Sequence, residues 1–154
     1  MRHMKTLLVA LALTVLPVPA FAQTVSVTDG DTIKLTGTTY RLWGIDAAET
    51  RQGCADGWPA GRIATDYLAG LIQGRAVECE AKTKDRYGRT VALCRADGRD
   101  LGADMVSAGM AWAFVRYSRD YVVQERDAQI AKLGMHAHDC SPAWEWRARG
   151  RGDR

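Results

Sequence analysis

The chain has 154 residues, of which 21 are lysine or arginine and 18 are aspartate or glutamate, so its formal net charge is +3. This length predicts a single domain with room for one hydrophobic core. The near balance of charge excludes a protein that attracts polyanions through its net charge. Any binding of a polyanion must therefore depend on local clusters of basic residues.

The first 22 residues have the pattern of a secretory signal peptide. Arg2 and Lys5 precede an apolar run from Leu7 to Leu16, and Ala20-Phe21-Ala22 fits a cleavage site of small residues. An uncleaved anchor is the alternative, but the run is too short for a membrane-spanning helix. We therefore predict a mature chain that begins at residue 23, is periplasmic or secreted, and has no membrane segment.

Three short strands are predicted at the start of the mature chain. Residues 24 to 28 alternate between polar and apolar side chains, as a half-buried strand does. The sequences DGDT at 29 to 32 and TGTT at 36 to 39 indicate tight turns on either side of a second strand. Residues 40 to 45 form the third predicted strand.

Helices dominate the predicted order after these strands. Proline in a first helical turn, aspartate at an N-cap and glycine just past a helix end mark their limits. The predicted elements are a helix from Pro59 to Gly74, strands over 75 to 81 and 90 to 96, a short helix from Asp100 to Gly109, and a last helix over 118 to 133.

Five short strands interrupted by one helix predict an α+β fold dominated by β structure. The common arrangement of this kind is a five-stranded OB-fold barrel, here with three helices. A flat α+β sandwich is the alternative. The predicted domain covers residues 23 to 140, and residues 141 to 154, SPAWEWRARGRGDR, form a basic tail that we expect to be loosely ordered at its end.

Two aspartates are predicted to meet at one end of the first hairpin. If the turn centres near Gly37 and Thr38, Asp31 and Asp46 lie nearly opposite each other, with Cβ atoms about 4.5–5.5 Å apart. Two carboxylates at that distance repel each other unless a cation lies between them. A hard divalent ion such as Ca²⁺ would satisfy both, whereas two solvated turn aspartates are the alternative.

All four cysteines, Cys54, Cys79, Cys94 and Cys140, follow the predicted cleavage site, and an even number in an exported chain predicts two disulfides. Composition leaves three pairings open. If residues 75 to 96 form a hairpin, Cys79 and Cys94 lie opposite each other within disulfide reach, so that Cys54 would pair with Cys140. Buried free thiols are the alternative.

Three sequence blocks, in this order and spacing, resemble the staphylococcal nuclease family. They are DGDT at 29 to 32, RLWGIDAAE at 41 to 49 and DRYGR at 85 to 89, and the resemblance extends over roughly residues 24 to 136. It implies an OB-fold with three helices. It also implies Ca²⁺-dependent hydrolysis of phosphodiesters in DNA and RNA, with low sequence specificity and 3′-phosphate products.

The resemblance also implies a Ca²⁺ site. Asp31 and Asp46 match the carboxylate ligands, Ala47 matches a residue that offers its backbone carbonyl, and Asp29 matches an acid just outside the ligands. Alanine replaces the usual threonine at 47, which leaves a carbonyl ligand intact. Ala48 replaces a usual proline, which removes stiffness from the loop that follows.

The remaining site residues are assigned by the same resemblance. Glu49 matches the residue assigned as general base, and Arg41 and Arg89 match the two arginines on the scissile phosphate. Arginine also retains the charge of a usual lysine at position 86. The substrate-binding positions are Arg86, Tyr87 and Tyr117.

These assignments predict a monomeric Ca²⁺-dependent nuclease that takes DNA and RNA as substrates and needs no obligate protein partner. Taken singly, Arg41, Glu49 and Arg89 could each be ordinary solvated residues. The alternative is a catalytically silent OB-fold module that only binds nucleic acid. Such a module could lose these three residues freely, and this chain has all three.

Overall fold

The computed structural model describes residues 23–152, so the predicted signal peptide at 1–22 lies outside the described residues. Within this range the chain forms eight strands and four α-helices. The strands are β1 (Val25–Asp29), β2 (Thr32–Leu35), β3 (Thr38–Leu42), β4 (Ile45–Ala47), β5 (Val77–Lys84), β6 (Thr90–Ala96), β7 (Arg99–Asp100) and β8 (Ala111–Ala113). The helices are α1 (Ala60–Ile72), α2 (Leu101–Ser107), α3 (Val122–Ile130) and α4 (Ala143–Gly152), with a 3-10 helix at Gly134–Ala137.

The main sheet has the strand order β1-β2-β3-β6-β5, with β7 paired to β6. All of its pairs are antiparallel except β3 with β6, which is parallel. The side-chain amide of Gln23 links the two outer strands at one end, because its Nε2 donates to the Val77 carbonyl at 2.7 Å and its Oε1 accepts from the Val77 amide at 2.9 Å. The mixed α+β fold built mainly on this five-strand path confirms the predicted fold class, and β4, β7, β8 and α4 are additions to it.

The core lies between the main sheet and the helices α1 and α2. Helix α1 buries one residue per turn, at Ala60, Ala64, Leu68 and Ile72, as an amphipathic helix does. It begins directly after Pro59, where the missing backbone N–H carries no penalty. Each fully buried leucine or isoleucine contributes about 1.5–3 kcal/mol, and this packing fixes the sheet that carries the functional residues.

The third predicted strand ends earlier than expected. The chain turns at Gly44, which has φ +70, and its missing side chain leaves room for the Tyr121 ring, which would lie 3.0 Å from a Cβ atom there. Residues after this turn leave the main sheet, and β4 pairs antiparallel with β8, with Asp46 opposite Trp112. Asp46 is therefore carried by a second, two-stranded sheet.

The register of the first hairpin also differs from the prediction. Thr32 pairs with Arg41 and Leu35 with Thr38, so the turn consists of Thr36 and Gly37 and lies nearer the N-terminus than expected. The predicted direct opposition of Asp31 and Asp46 is therefore wrong. The second hairpin is as predicted, because Cys79 is the cross-strand partner of Cys94 and the two form a disulfide.

The C-terminal segment packs on the domain as far as it is described, and the predicted loose order of its last residues stays a prediction because 153–154 lie outside the described residues. Cys140 forms the predicted disulfide with Cys54, and the Gln52 side chain donates to the Ser141 carbonyl at 2.7 Å. Ala143 at the start of α4 is fully buried, and α4 contacts β4. None of the helices described over residues 23–152 is long and apolar enough to cross a membrane.

Candidate active site

A cleft of about 530 Å³ opens where the turn between β1 and β2 and the strands β3 and β4 meet the loop between β5 and β6. Its other sides come from residues 114 to 117 and from α4. The structure thus brings residues from distant parts of the chain to one surface. The predicted site residues that line the cleft are Asp29, Asp31, Arg41, Ala47, Glu49, Arg86, Tyr87, Arg89 and Tyr117.

A guanidinium bridges the two predicted metal ligands beneath the cleft floor. Arg41 Nη1 donates to Asp31 Oδ1 at 2.9 Å, and Arg41 Nη2 lies 2.9 Å from Asp31 Oδ2 and 2.6 Å from Asp46 Oδ1. Asp31 is 4 % exposed and Asp46 is 0 % exposed. The two acids therefore lie close together, although not as cross-strand partners, and they share a cationic group.

Burial dominates the ionisation of Asp31. Its removal from water raises the pKa from 3.8 to about 6, although the positive charge of Arg41 acts to lower it. The negative charge of the nearby Asp29 also raises the pKa. Hydrogen bonds from the Ala47 amide (3.2 Å) and the Thr32 hydroxyl (3.0 Å) favour the charged form but do not reverse the shift. Keeping Asp31 ionised in this buried position therefore costs free energy, which a cationic partner would reduce.

Asp31, Asp46 and Glu49 together form an acid cluster. Arg147, which was not among the predicted site residues, contacts two of its three members. Its Nη2 donates to Asp46 Oδ2 at 2.7 Å and its Nη1 to Asp46 Oδ1 at 3.2 Å. The same Nη1 donates to Glu49 Oε1 at 2.6 Å. The residue lies on α4, in the segment predicted to be a tail, and the abundance of arginine and tryptophan there was the only available signal.

The loop that carries Glu49 is held by a buried glutamine and by close packing. The Glu49 amide donates to Gln52 Oε1 at 3.1 Å, and the Gln52 amide donates to the Glu49 carbonyl at 2.7 Å. Gly61 on α1 is required for the approach of this loop, because a Cβ atom there would lie 1.8 Å from the Glu49 carbonyl oxygen. The Cys54–Cys140 disulfide ties down the same loop, so that Ala48 in place of proline leaves it well anchored.

Another wall of the cleft is the loop of residues 85 to 89, which is organised around Asp85. Asp85 accepts hydrogen bonds from the Tyr87 amide (2.9 Å), the Arg89 amide (3.0 Å) and Arg89 Nε (2.7 Å). The guanidinium groups of Arg86 and Arg89 lie 4.8 and 5.7 Å from the centre of the Tyr87 ring. Arg89 is thus paired within its own loop. Within residues 23–152, it forms no hydrogen bond to Asp31, Asp46 or Glu49.

A row of aromatic rings forms a third side of the cleft. Tyr117 is exposed and its ring lies 5.1 Å from that of Phe114, which in turn lies 5.7 Å from that of Trp144 on α4. Trp144 also packs edge-on against the buried Trp112, at 6.1 Å. Exposed rings beside a basic loop are suited to stacking against nucleotide bases.

The donor set suits a hard cation. Ca²⁺ binds 6–8 oxygen atoms at about 2.3–2.6 Å, and one oxygen of Asp31 and one of Asp46 already lie 2.9 and 2.6 Å from a single nitrogen atom of Arg41. No group of three or more His, Cys, Asp or Glu side chains in residues 23–152 is placed to hold a metal ion. An ion at Asp31 and Asp46 would therefore depend on backbone carbonyls and water for its other ligands, and Arg41 would have to move.

The chain matches the family described as staphylococcal nuclease homologue over residues 39–138. It is 36 % identical to an uncharacterized endonuclease of Escherichia coli O157:H7 over 81 % of this chain and 83 % of that protein. It is also 33 % identical to Protein ParB of Escherichia coli, over 90 % and 87 % of the two chains. Identity to the staphylococcal-like nuclease CAN1 of Arabidopsis thaliana is 31 %, over 73 % and 34 %. The chain belongs to the staphylococcal nuclease homologue family.

Proposed function

We propose that this protein is an exported, Ca²⁺-dependent nuclease that hydrolyses DNA and RNA with low sequence specificity and leaves 3′-phosphate ends. The observation that carries this proposal is the cleft itself. Asp31 and Arg41 line it, the fully buried Asp46 lies behind them bound to Arg41, and Glu49 and Arg89 also line it. Membership of a nuclease family and relatives named as endonucleases support the same reaction.

The floor of the cleft supplies the metal ligands in this proposal. Asp31, Asp46 and the Ala47 carbonyl would hold Ca²⁺, with Asp29 nearby. A bound divalent ion polarises a phosphoryl oxygen and orients water. The cost of burying two carboxylates together is then offset by the charge of the ion.

The arginines would neutralise the anionic phosphate. A guanidinium presents two parallel donors that match two phosphate oxygens and stays charged at any working pH. Arg41 would exchange its carboxylate partners for the phosphate, and Arg89 would exchange Asp85 for it. Both arginines line the cleft.

Glu49 would accept the proton of the attacking water. As the water oxygen bonds to phosphorus, the bond from phosphorus to the 5′ oxygen breaks and that oxygen takes a proton from solvent water, which leaves a 3′-phosphate on one fragment and a 5′-hydroxyl on the other. General base catalysis of this kind contributes typically 10²–10⁴-fold. The Glu49 carboxylate is 39 % exposed at the cleft rim, where water has access to it.

Low sequence specificity follows from the kinds of group that face the cleft. Arg86 and Arg89 would bind the backbone, which carries no sequence information, and Tyr87 and Tyr117 would stack on bases, which all have an aromatic face. Export is supported by the two disulfides, which persist in oxidising compartments, and by the predicted signal peptide.

The mature chain, residues 23–154, should degrade supercoiled plasmid and single-stranded RNA when Ca²⁺ is added, and a chelator should stop both reactions. Glu49→Gln should lose at least about 10²-fold in rate while still binding DNA. Glu78→Gln, an exposed carboxylate on β5 away from the cleft, is the matched control and should keep full activity. Binding without degradation in the wild-type protein would favour the catalytically silent OB-fold module, and undiminished turnover by Glu49→Gln would remove that residue from its role.

A further inference from the structure

Arg147 joins two carboxylates that have different surroundings. It forms a two-pronged contact with Asp46, at 2.7 and 3.2 Å, and Asp46 is fully buried. One of the same two nitrogens lies 2.6 Å from Glu49 Oε1, and the Glu49 side chain is 39 % exposed. The guanidinium thus joins a fully buried acid to a partly exposed one.

We propose that Arg147 is a positioning residue that fixes the Glu49 carboxylate for proton transfer, and that α4 is therefore part of the active site. This inference rests on the proposed nuclease function. Residue 147 lies beyond the 39–138 range of the family match, so the role is not carried over from the family.

The Glu49 side chain needs such a partner because its loop fixes only its backbone. Gln52 holds both the amide and the carbonyl of Glu49 by hydrogen bonds, and Gly61 leaves room for that carbonyl. Among the hydrogen bonds found in the described part of the chain, Arg147 is the only partner of the Glu49 carboxylate. A glutamate without that contact would sample several rotamers, whereas a base must lie within hydrogen-bond reach of its proton.

Helix α4 is held firmly enough to serve this purpose. Trp144, one turn before Arg147, packs against Trp112 and Phe114, with ring centres 6.1 and 5.7 Å apart. Gln52 connects the two parts directly, because its side chain accepts from the Glu49 amide and donates to the Ser141 carbonyl. The loop with Glu49 and the helix with Arg147 therefore form one packed unit.

The contacts of Arg147 distinguish it from the two arginines assigned to the phosphate. Both of its terminal nitrogens are directed at carboxylates, at 2.6 to 3.2 Å. Arg89, in contrast, contacts no acid of the cluster in the described residues, and Arg41 contacts Asp31 and Asp46 but not Glu49. Arg147 alone joins Glu49 to the buried acid beneath it.

The test compares Arg147→Met, Arg147→Lys and Arg149→Met, alone and in the Glu49→Gln background, by steady-state kinetics on a fluorescent oligonucleotide. Arg147→Met should lower kcat at least tenfold and change KM less than twofold. Arg147→Lys keeps the positive charge but not the paired nitrogens of the guanidinium, and its kcat should lie between those of Arg147→Met and the wild type. Arg149→Met, on the exposed side of the same helix, should behave like the wild type.

A further readout separates positioning from a purely structural role. In the Glu49→Gln background, Arg147→Met should cause no additional loss, because the group through which it acts is already gone. Arg147→Lys with an unchanged Tm would exclude unfolding as the cause of its lower kcat.

Several outcomes would overturn the inference. The first two are a wild-type kcat in Arg147→Met and a change in that variant that is confined to KM. The third is an equal loss when Arg147→Met is added to Glu49→Gln. The fourth is a rise in the activity of Arg147→Met, which would make Arg147 a competitor of the metal. If the wild-type protein cleaves nucleic acid and Arg147→Met is unaffected, only this inference fails. If the wild-type protein does not cleave at all, the proposed function fails and takes this inference with it.

Discussion

The two walls of the cleft carry arginines in contrasting states. On one side Arg41 and Arg147 are bound to the acids of the site, and the Arg41 side chain is only 17 % exposed. On the other side Arg89 is paired with Asp85 inside its own loop, and its neighbour Tyr87 is 67 % exposed. One wall is built into the folded core and the other is a self-contained surface turn.

This difference shows two ways of presenting positive charge to an anion. An arginine paired with buried carboxylates also stabilises the fold, so its release to a substrate requires something else to neutralise the acids. An arginine in a partly exposed pair such as Asp85–Arg89 gives up about 1 kcal/mol or less when the pair breaks. We expect substitutions on the two walls to have separable effects on activity and stability.

The largest effect should come from removing either phosphate-directed arginine. Arg41→Gln and Arg89→Gln should each lower kcat/KM by about 10²–10³-fold, because each deletes a donor to the charged transition state. Urea unfolding should separate them, since Arg41→Gln leaves two buried carboxylates without a shared cation and Arg89→Gln breaks only a local pair. The free energy of unfolding should fall by more than 1 kcal/mol only in Arg41→Gln.

Arg62→Gln on the exposed face of α1 is the control for charge and should change neither quantity. Equal losses of stability in Arg41→Gln and Arg89→Gln would show that the two walls do not differ as described.

The next effect concerns the stability of the metal-free protein. Burial raises the pKa of Asp31 from 3.8 to about 6, so the folded state holds the proton more tightly than the unfolded state. The contribution of Asp31 to the stability should therefore fall as pH rises from about 4 to 6 and should not return above that range. Asp31→Asn cannot ionise, so it should be more stable than the wild type at pH 7 by on the order of 2 kcal/mol.

Thermal or urea unfolding in the presence of a chelator, across pH 4 to 8, would measure this difference. Asp66→Asn, an exposed acid on α1, should follow the wild-type curve. Parallel curves for Asp31→Asn and the wild type would contradict the stated cost of burying this carboxylate.

The smallest effect should come from Arg86 on the exposed wall. Arg86→Gln should weaken DNA binding less than tenfold and lower the slope of log K against log salt by about 1, because one phosphate contact is lost. The measurement requires the Glu49→Gln background, in which the substrate persists. Arg62→Gln again serves as the control, and an unchanged salt slope in Arg86→Gln would place Arg86 away from the bound strand.

The sequence predicted one hairpin better than the other for a physical reason. Around Tyr87 the strands β5 and β6 flank a single turn centred on DRYGR, so symmetry about that turn gave the correct Cys79–Cys94 pair. In the first hairpin the TGTT sequence permits more than one turn position, and Gly44 diverts the chain into a second sheet. Local symmetry could not anticipate that diversion, which occurs at a glycine with positive φ packed against the distant Tyr121 ring.

The predicted site residues nevertheless line or underlie one cleft, because the motifs fix which residues are present and the sheet order brings them together. Their catalytic and metal-binding roles stay predictions. Arg147 was beyond reach, because it lies 101 residues from Asp46 and belongs to no recognised motif. Its partners are defined only once α4 has packed against Trp112.

The Cys54–Cys140 disulfide acts as a tether for the last helix. Arg147 lies seven residues beyond this anchor, so that an unpacked α4 would still hold its guanidinium near the acids at a local concentration of about the millimolar order. If α4 moved away from the cleft, the disulfide would therefore limit the distance it could move and favour its rapid return. Terminal segments are usually the least firmly held parts of a domain. Here the disulfide keeps the last helix close to the site.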